Sequence, residues 1–336
     1  MAGIESYAAA LPSLRLPASA YVAAWGSCSA RGMKQKAFCA YDEDPVTLGI
    51  DATRAALARL GREVKISALF FGATSPPYDE KPSAATLPTA LFADNLMRVT
   101  GLSGSPQAGM QALLSAIEFC AAHAGAHALA VACDAPQAPA DAGYEHALGA
   151  GAAAFVIGPD GAAAEAVTDL AVTRETFGVR FRRHGQKDLS DLELRTRDRE
   201  AALADLGKAL KAAGTEIPKR LAVGADAGLM RGTARSLGCP DAVTEALWTE
   251  IGDAGAAAAP IALAAALDEA AAGETVLAVS VGAGATAVLF RAGKGLAAVR
   301  GKGARVADLV AAGRTVDYMA YLKHRRVLSS RFGGIG

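Results

Sequence analysis

The chain has 336 residues, which exceeds the usual size of one hydrophobic core and predicts two domains or two fused halves. Hydrophobic residues make up 52% of it, but no stretch approaches the ~18 consecutive apolar residues of a membrane-spanning helix, so we expect no membrane partner. The formal net charge is zero and no basic run alternates with aromatic residues, which argues against a nucleic-acid partner.

The N-terminal sequence lacks the charged, apolar and small-residue segments of a secretory signal, so we expect a cytoplasmic protein. The five cysteines are scattered, without a CxxC pair or a Cys/His spacing typical of zinc. We therefore expect reduced thiols and no metal.

In the first half, helices and buried strands are predicted to alternate. Pro45 to Leu60 places aliphatic and small residues on one face at helical spacing, with proline at a favourable first position. The apolar run 66–73 predicts a buried strand that ends at the turn-like sequence TSPPYDEKP. A second amphipathic helix is predicted from Ser105 to His123, and HALAVACD and GAAAFVIG predict two further strands.

The second half repeats this order. A helix is predicted from Glu200 to Ala213, then a strand in RLAVGA, a helix in PIALAAALDEAAA, and strands in ETVLAVSVGAG and TAVLFRAG, with Gly282 and Gly284 permitting a tight turn. The first strands of the two halves are ~154 positions apart and the next pair ~148, which predicts a duplicated unit. Continuous apolar strands between amphipathic helices favour sheets buried on both faces, so we predict an α/β fold with αβαβα layers.

We place the boundaries of these units at 1–165 for the N-terminal half, 166–198 for an insertion, 199–314 for the C-terminal half and 315–336 for a tail. The insertion is the most highly charged part of the chain and is rich in arginine. Two interpretations of it stay open: a solvated excursion, or a surface that faces another subunit or an anion.

Several strings, taken in order, resemble the archaeal and bacterial branch of the hydroxymethylglutaryl-CoA synthases in the thiolase superfamily. They cover most of the chain and include AYDEDPVTLGIDATRAAL, FFGATSPPYDEKPSAAT, YEHALGAGAAAFVIG, RHG at His184, GDAGAAAAPIALAAALDEAAAGETVLAVSVGAGA and VDYMAYLKHRRVL. The ordered set is specific and agrees with the duplication. The resemblance implies a thiolase-like fold.

The resemblance also implies where that family's catalytic residues would lie. Family members carry the acyl group on a cysteine at the start of the first buried helix, and LSGSPQAGMQAL puts Pro106 at that position. The carboxylate base corresponds to Thr74. The histidine and asparagine that hold the thioester carbonyl correspond to Ala225 and Gly228. The resemblance thus implies a degenerate site, in which Ser105 caps the helix and Pro106 occupies its first turn.

Three functions follow from the resemblance. The first is a non-catalytic structural subunit of an acyltransferase complex, because relatives of this branch occur with an active thiolase and a small OB-fold/zinc-ribbon protein. The second is an active synthase-like acyltransferase that uses relocated residues such as Ser103, Ser105, Cys133 or His146. The third is a stand-alone acyl-CoA binding protein. We expect no covalent cofactor, CoA or acyl-CoA as a ligand of the complex, and a homo- or hetero-oligomer.

The C-terminal tail offers a candidate contact with a bridging subunit. Tyr318, Tyr321 and Leu322 form an aromatic and aliphatic anchor, flanked by Arg325 and Arg326. The alternative is a terminal helix that docks on its own domain.

Overall fold

The computed structural model of the chain describes residues 2–78, 80–94, 96–174, 180–191, 197–225, 227–242 and 247–328. The elements of the first half are β1 (Gly3–Ala10), β2 (Leu14–Pro17), α1 (Ala18–Trp25), β3 (Gln35–Phe38), α2 (Pro45–Leu60), β4 (Ile66–Gly72), α3 (Ser83–Leu91), β5 (Arg98–Leu102), α4 (Ala108–Ala122), β6 (His127–Asp134) and β7 (Gly151–Gly158).

The rest of the chain adds β8 (Ala164–Thr173), β9 (Arg180–Phe181), β10 (Ser190–Asp191), α5 (Arg197–Ala212), β11 (Arg220–Val223), α6 (Ala227–Leu237), α7 (Trp248–Ile251), α8 (Ala258–Glu269), β12 (Thr275–Gly282), β13 (Gly284–Ala292), α9 (Leu296–Arg300), α10 (Val306–Ala311), β14 (Arg314–Thr315) and α11 (Tyr318–His324). Among the described residues, no helix has the length and apolar character needed to cross a membrane.

The main strands form one nine-stranded sheet in the order β11-β12-β13-β8-β1-β7-β6-β4-β5. Its halves join where β1 and β8 pair antiparallel through Gly3 and Ile4. β4 is parallel to β5 and β6, and β11 is parallel to β12. Because neighbouring parallel strands end at the same edge, the loops after β4, β5 and β6 lie together.

The two halves repeat one strand order, which confirms the duplication. Outward from the joint, the first half has β1, β7, β6 and β4, and the second has β8, β13, β12 and β11. The two halves also repeat a close contact between the end of a strand and the start of a central helix. A Cβ added to Gly72, at the end of β4, would lie 2.4 Å from the Ala108 carbonyl oxygen. A Cβ added to Gly224, just after β11, would lie 2.2 Å from the Ala259 nitrogen. Each glycine therefore lets its strand approach the start of a central helix.

The helices complete the αβαβα layers. α2 covers the outer face of the first-half strands, and α5 covers that of the second half. α4 and α8 contact each other between the two sets of strands; α4 contacts β4, β6 and β13, and α8 contacts β11, β12 and β7. Fully buried alanines such as Ala112, Ala116 and Ala264 allow this middle layer to pack closely.

Local sequence explains the helix ends. α2 has the predicted bounds: the Asp44 side chain accepts from the Thr47 N–H, Pro45 follows, and Gly61 closes the helix in the left-handed conformation. α4 begins three residues later than predicted, at Ala108. Ser105 does not cap the helix itself, because its carbonyl accepts from the Ala108 N–H and thereby closes a preceding turn that contains Pro106.

A small lobe stands beside the main sheet. β14, β2 and β3 form a three-stranded sheet, and α1 and α11 pack near it. Its core is aromatic and includes Tyr21, Phe38, Tyr318 and Tyr321.

Candidate functional site

Thr74 and Ser75 follow β4 and are held by a buried carboxylate, Asp134, at the end of β6. Asp134 Oδ2 accepts from the Thr74 N–H at 3.0 Å, from Thr74 Oγ1 at 2.5 Å and from the Ala256 N–H at 2.8 Å. Asp134 Oδ1 accepts from the Ser75 N–H at 2.9 Å and from the Ser75 hydroxyl. Burial raises the pKa of Asp134, and the hydrogen bonds from Ser75 and Thr74 act in the opposite direction. The Thr74 hydroxyl is therefore committed to a structural clamp.

Pro106 lies in the turn before α4, and hydrogen bonds of the turn and of the neighbouring strands hold it in place. Ser280 Oγ donates to the Pro106 carbonyl oxygen at 3.1 Å, and the Gln107 N–H donates to Ser105 Oγ at 3.2 Å. The buried Gln107 side chain donates through Nε2 to Thr286 Oγ1 at 3.0 Å. These bonds hold the turn against β12 and β13. Pro106 itself offers neither a nucleophilic atom nor an N–H.

The β12–β13 turn is seated against this segment. A Cβ added to Gly282 would lie 2.3 Å from Ser105 Oγ, and Gly284 has a φ of +112°, which a side chain would strain. The predicted tight turn at these glycines is confirmed. The turn also reduces the room around Ser105.

Ala225 and Gly228 flank the start of α6. Ala225 lines a hollow of about 10 Å³ together with Trp248 and Ile251, which is room for about one water molecule. Gly228 is exposed in the first turn of the helix. Neither side chain supplies a hydrogen-bond donor.

The structure brings three of the four predicted positions around the starts of α4 and α8. Gly72, two residues before Thr74, packs on Ala108, two residues after Pro106. Gly224, next to Ala225, packs on Ala258 and Ala259. Gly228 lies in the first turn of α6, three residues after Ala225.

Thr74 and Ser75 open onto a cleft of about 420 Å³, here called the β4 cleft. Its walls come from the 39–45 segment and from the part of the charged insertion that carries Arg182 and Lys187. Arg180 Nη1 lies 2.6 Å from Asp253 Oδ2 and its Nε lies 3.3 Å from Asp191 Oδ2, which fixes the β9–β10 pair over the cleft. The described part of the insertion thus packs on its own chain. Both interpretations of the insertion, a solvated excursion or a surface that faces another subunit or an anion, stay predictions.

A second cleft of about 430 Å³ adjoins the first, here called the tyrosine cleft. Both are lined by Cys39, Gln137 and Lys187. Tyr41 and Tyr78, both about half exposed, line only the tyrosine cleft.

Comparison with known proteins finds similar sequences over part or nearly all of the chain. No protein-family model matches the chain. Over nearly its whole length it is 29% identical to the hydroxymethylglutaryl-CoA synthase of Methanosphaera stadtmanae, across 97% of this chain and 98% of the relative. The chain is thus similar in sequence to hydroxymethylglutaryl-CoA synthases.

Other synthases align over a shorter part. The chain is 35% identical to the Thermococcus gammatolerans synthase over 158 residues, and 34% identical to the Aeropyrum pernix synthase over 191 residues. These matches cover 47% and 55% of this chain and 45% and 53% of the relatives, so the chain spans about half the length of these curated relatives.

Solved structures show the thiolase-like fold of the synthase-like chain. It superposes on MvaS in complex with 3-hydroxy-3-methylglutaryl coenzyme A with a TM-score of 0.82, at 19% identity, covering 97% of this chain and 91% of that one. The TM-score is 0.79 with PksG, a HMG-CoA synthase from Bacillus subtilis, at 17% identity, covering 97% and 88%. At these identities the likeness establishes the fold alone.

The residues named as relocated catalytic groups have separate sets of partners. Cys133 is fully buried, and burial raises the pKa of its thiol well above the usual value. His146 is 3% exposed; its Nε2 lies 3.1 Å from Asp141 Oδ1, and its Nδ1 accepts from the Ser29 N–H at 3.1 Å. Both ring nitrogens of His146 therefore already have a hydrogen-bond partner.

The tail helix α11 docks on its own chain, and this corrects part of the predicted interface. Tyr318, Tyr321 and Arg325 are buried because they pack into the aromatic lobe, so they do not face a partner. Leu322 is partly buried and Arg326 is exposed. A contact between this helix and a partner stays a prediction. Such a contact would involve the exposed side of the tail, which includes Arg326.

The contact between α11 and its own chain, here called the α11 dock, centres on Glu145. The sequence analysis did not single out this residue. Glu145 Oε1 lies 2.8 Å from Lys36 Nζ and 3.3 Å from Arg325 Nη1, and it accepts from the hydroxyls of Tyr21 and Tyr321. Lys36 and Glu145 are each 1% exposed. Burial lowers the pKa of Lys36 to about 8, although Glu145 acts in the opposite direction. The cations, led by Lys36, overcome the effect of burial and lower the pKa of Glu145.

Asp134 also went unnoticed in the sequence. Its signal was present, because a carboxylate directly after a run of buried β-strand residues must find donors where the strand ends.

Proposed function

We propose that this hydroxymethylglutaryl-CoA synthase-like chain does not catalyse condensation by itself and serves as the structural subunit of an acyltransferase complex. The observation that carries the proposal is the pair of residues at the implied base and nucleophile positions. Thr74 gives its hydroxyl to Asp134, and Pro106 has no reactive atom.

The chemistry explains why this pair decides the matter. A general base must take a proton at neutral pH, and a threonine hydroxyl does not titrate in that range. A covalent intermediate needs an activated oxygen, sulfur or nitrogen, which proline lacks. Ala225 and Gly228 add no donor for a developing oxyanion. Nucleophile, base and oxyanion donors are thus missing together.

We propose two partners: a thiolase-like catalytic subunit, and an OB-fold/zinc-ribbon protein that bridges the subunits. A protein with this fold and no chemistry of its own retains a large surface for such contacts. We further propose that CoA or acyl-CoA enters the β4 cleft within the complex. Support comes from a similar structure described as HMG-CoA synthase complexed with CoA, and from Arg182 and Lys187 on a wall of the cleft, which Glu43 and Asp44 also line.

A second candidate is an active synthase-like acyltransferase, favoured by the 97% coverage in the match to the Methanosphaera stadtmanae synthase. A third is an acyl-CoA binding protein, favoured by the adjoining clefts. One experiment separates the three functions. The chain is co-expressed with a candidate thiolase and a candidate OB-fold/zinc-ribbon protein, and the mass and condensation activity of the purified assembly are measured.

We expect a stable assembly that is active only when the thiolase is present. A thiolase whose nucleophilic cysteine is replaced is the matched control. The proposal fails if the chain purifies alone in every co-expression, or if the assembly with the inactive thiolase still turns over.

A further inference from the structure

The end of α11 lies between the walls of the two adjoining clefts. Residues 324–326, here called the α11 end, line the tyrosine cleft. So do residues 38–44, residues 135–137 and Lys187 of the insertion, and each of these three segments also contributes to the β4 cleft. A segment that contacts all three can fix the shape of both clefts.

Arg325 holds two of the three segments from a buried position. It is 7% exposed, and its Nη2 donates to the Ala138 carbonyl oxygen at 2.7 Å, directly after residues 135–137. The same nitrogen lies 3.6 Å from Asp188 Oδ1, and the Arg325 carbonyl oxygen accepts from Lys187 Nζ at 3.3 Å. Hydrogen bonds from a charged donor are among the stronger ones in proteins. The α11 end thus holds both the insertion and the 135–137 segment.

His324 and Arg326 hold the third segment through Tyr41. The Tyr41 N–H donates to His324 Nδ1 at 3.2 Å, and Arg326 Nη2 donates to the Tyr41 carbonyl oxygen at 3.3 Å. The Tyr41 and His324 rings are stacked, with their centres 6.0 Å apart. Arg326 has a φ of +56°, a left-handed conformation that favours glycine. Because these contacts are at the surface, they can be lost without disturbing the buried contacts of Glu145.

We propose that the α11 end is a latch that holds the walls of the two clefts together and so controls the binding of CoA or acyl-CoA there. For the identity of the ligand, the inference rests on the proposed function. Coupling between binding sites is reciprocal. A ligand that contacts more than one wall therefore stabilises the latched state, and a partner that binds the docked α11 favours that ligand. The latch gives assembly of the complex a physical route to the clefts.

Hydrogen exchange of the full chain, resolved at the Tyr41 amide by NMR, tests the latch without any ligand. Arg326→Gly removes the donor to the Tyr41 carbonyl oxygen and suits the left-handed φ, while the Tyr41 N–H keeps its acceptor. We expect the Tyr41 amide to exchange about threefold faster or more, because a hydrogen bond to this segment is lost. Lys323→Ala is the matched control, since it removes an exposed cation from the same helix.

Calorimetric titration of the full chain with CoA tests the control of binding. We expect His324→Ala and Arg326→Gly each to weaken CoA binding about threefold or more, because each releases the Tyr41 segment. Lys323→Ala should bind CoA like the unaltered chain, which accounts for the loss of a positive charge. Urea unfolding should show all three variants folded.

The two measurements separate failure of the latch from failure of the proposed function. The latch is overturned if the Tyr41 amide of Arg326→Gly exchanges no faster than that of Lys323→Ala. Its control of binding is overturned if the unaltered chain binds CoA and both latch variants bind it equally well. If the unaltered chain gives only heat of dilution with CoA, CoA binding by the chain alone fails, whereas faster exchange at Tyr41 still supports the latch.

Discussion

Replacing Glu145 by glutamine should destabilise the chain more than any other single change in the α11 dock. Glu145 is the anion that faces Lys36 and Arg325, and all three side chains are almost completely buried. The substitution keeps the shape of the side chain but leaves two buried cations near each other. Breaking a buried ion pair from one side costs about 3–5 kcal/mol. We expect Glu145→Gln to lower the free energy of unfolding by that amount.

Lys36→Met provides the contrast, because it removes one of the two cations. Glu145 then keeps Arg325 and the two tyrosine hydroxyls, while its own carbonyl loses the donor at 2.8 Å. We expect a smaller loss of about 1–3 kcal/mol, which is the cost of an unsatisfied buried group. Glu250→Gln is the matched control, since Glu250 pairs with the exposed Lys34 and such pairs contribute less than about 1 kcal/mol.

Urea unfolding followed by circular dichroism gives the free energy from the midpoint and slope. The predicted order of destabilisation is Glu145→Gln, then Lys36→Met, then Glu250→Gln. If Glu145→Gln costs no more than Lys36→Met, then the charge balance of the dock is not what stabilises it, and the reasoning fails.

Three further predictions concern the α11 dock and the position of Pro106. Lys36 has a pKa of about 8 in the fold and an ordinary pKa of 10.5, so its amine binds the proton more tightly in the unfolded chain. Between pH 8 and 10.5 the free energy of unfolding of the native chain should therefore rise relative to that of Lys36→Met. A difference between the two chains that does not change with pH would refute this. Deleting residues 315–336 should lower the midpoint of unfolding, because Glu145 loses its contacts with Tyr321 and Arg325. Met319→Asp, on the exposed side of α11, should keep the fold and reduce co-purification with the bridging protein. Unchanged co-purification would remove this helix from the interface. On the proposed function, Pro106→Cys should not give condensation of acetyl-CoA with acetoacetyl-CoA, because Thr74, Ala225 and Gly228 would still supply neither a base nor oxyanion donors, each of which contributes on the order of 10² or more in rate. Steady turnover in a thiol-release assay would show that other residues supply them.

Much of the fold could be predicted because its signals are local and strong. The helix at Pro45–Leu60 has periodicity, a capping aspartate and a glycine at its end, and both bounds were predicted. The duplication appeared as spacing. The offset in sequence between β4 and β11 is nearly the same as the offset between β6 and β12. β5 gave no such signal. Its residues RVTGL include a charge and a glycine, and its side chains are only partly buried at the sheet edge.

The site was harder to predict because its contacts join residues far apart in sequence. Asp134 meets Thr74 across 60 positions, and Glu145 meets Tyr321 across 176. No periodic pattern records such pairs. The start of α4 was misplaced for a local reason: Ser105 and Pro106 suit a first helical turn, yet the same residues also close the turn that precedes the helix.

The central claim is that this synthase-like chain holds no acyl group by itself, and intact-mass analysis after incubation with acetyl-CoA tests it most directly. The chain is measured before and after hydroxylamine, which cleaves thioesters. We predict no stoichiometric, hydroxylamine-sensitive gain in mass, because Pro106 has no nucleophilic atom and the Thr74 hydroxyl donates to the buried Asp134. One acetyl group per chain that hydroxylamine removes would contradict the account.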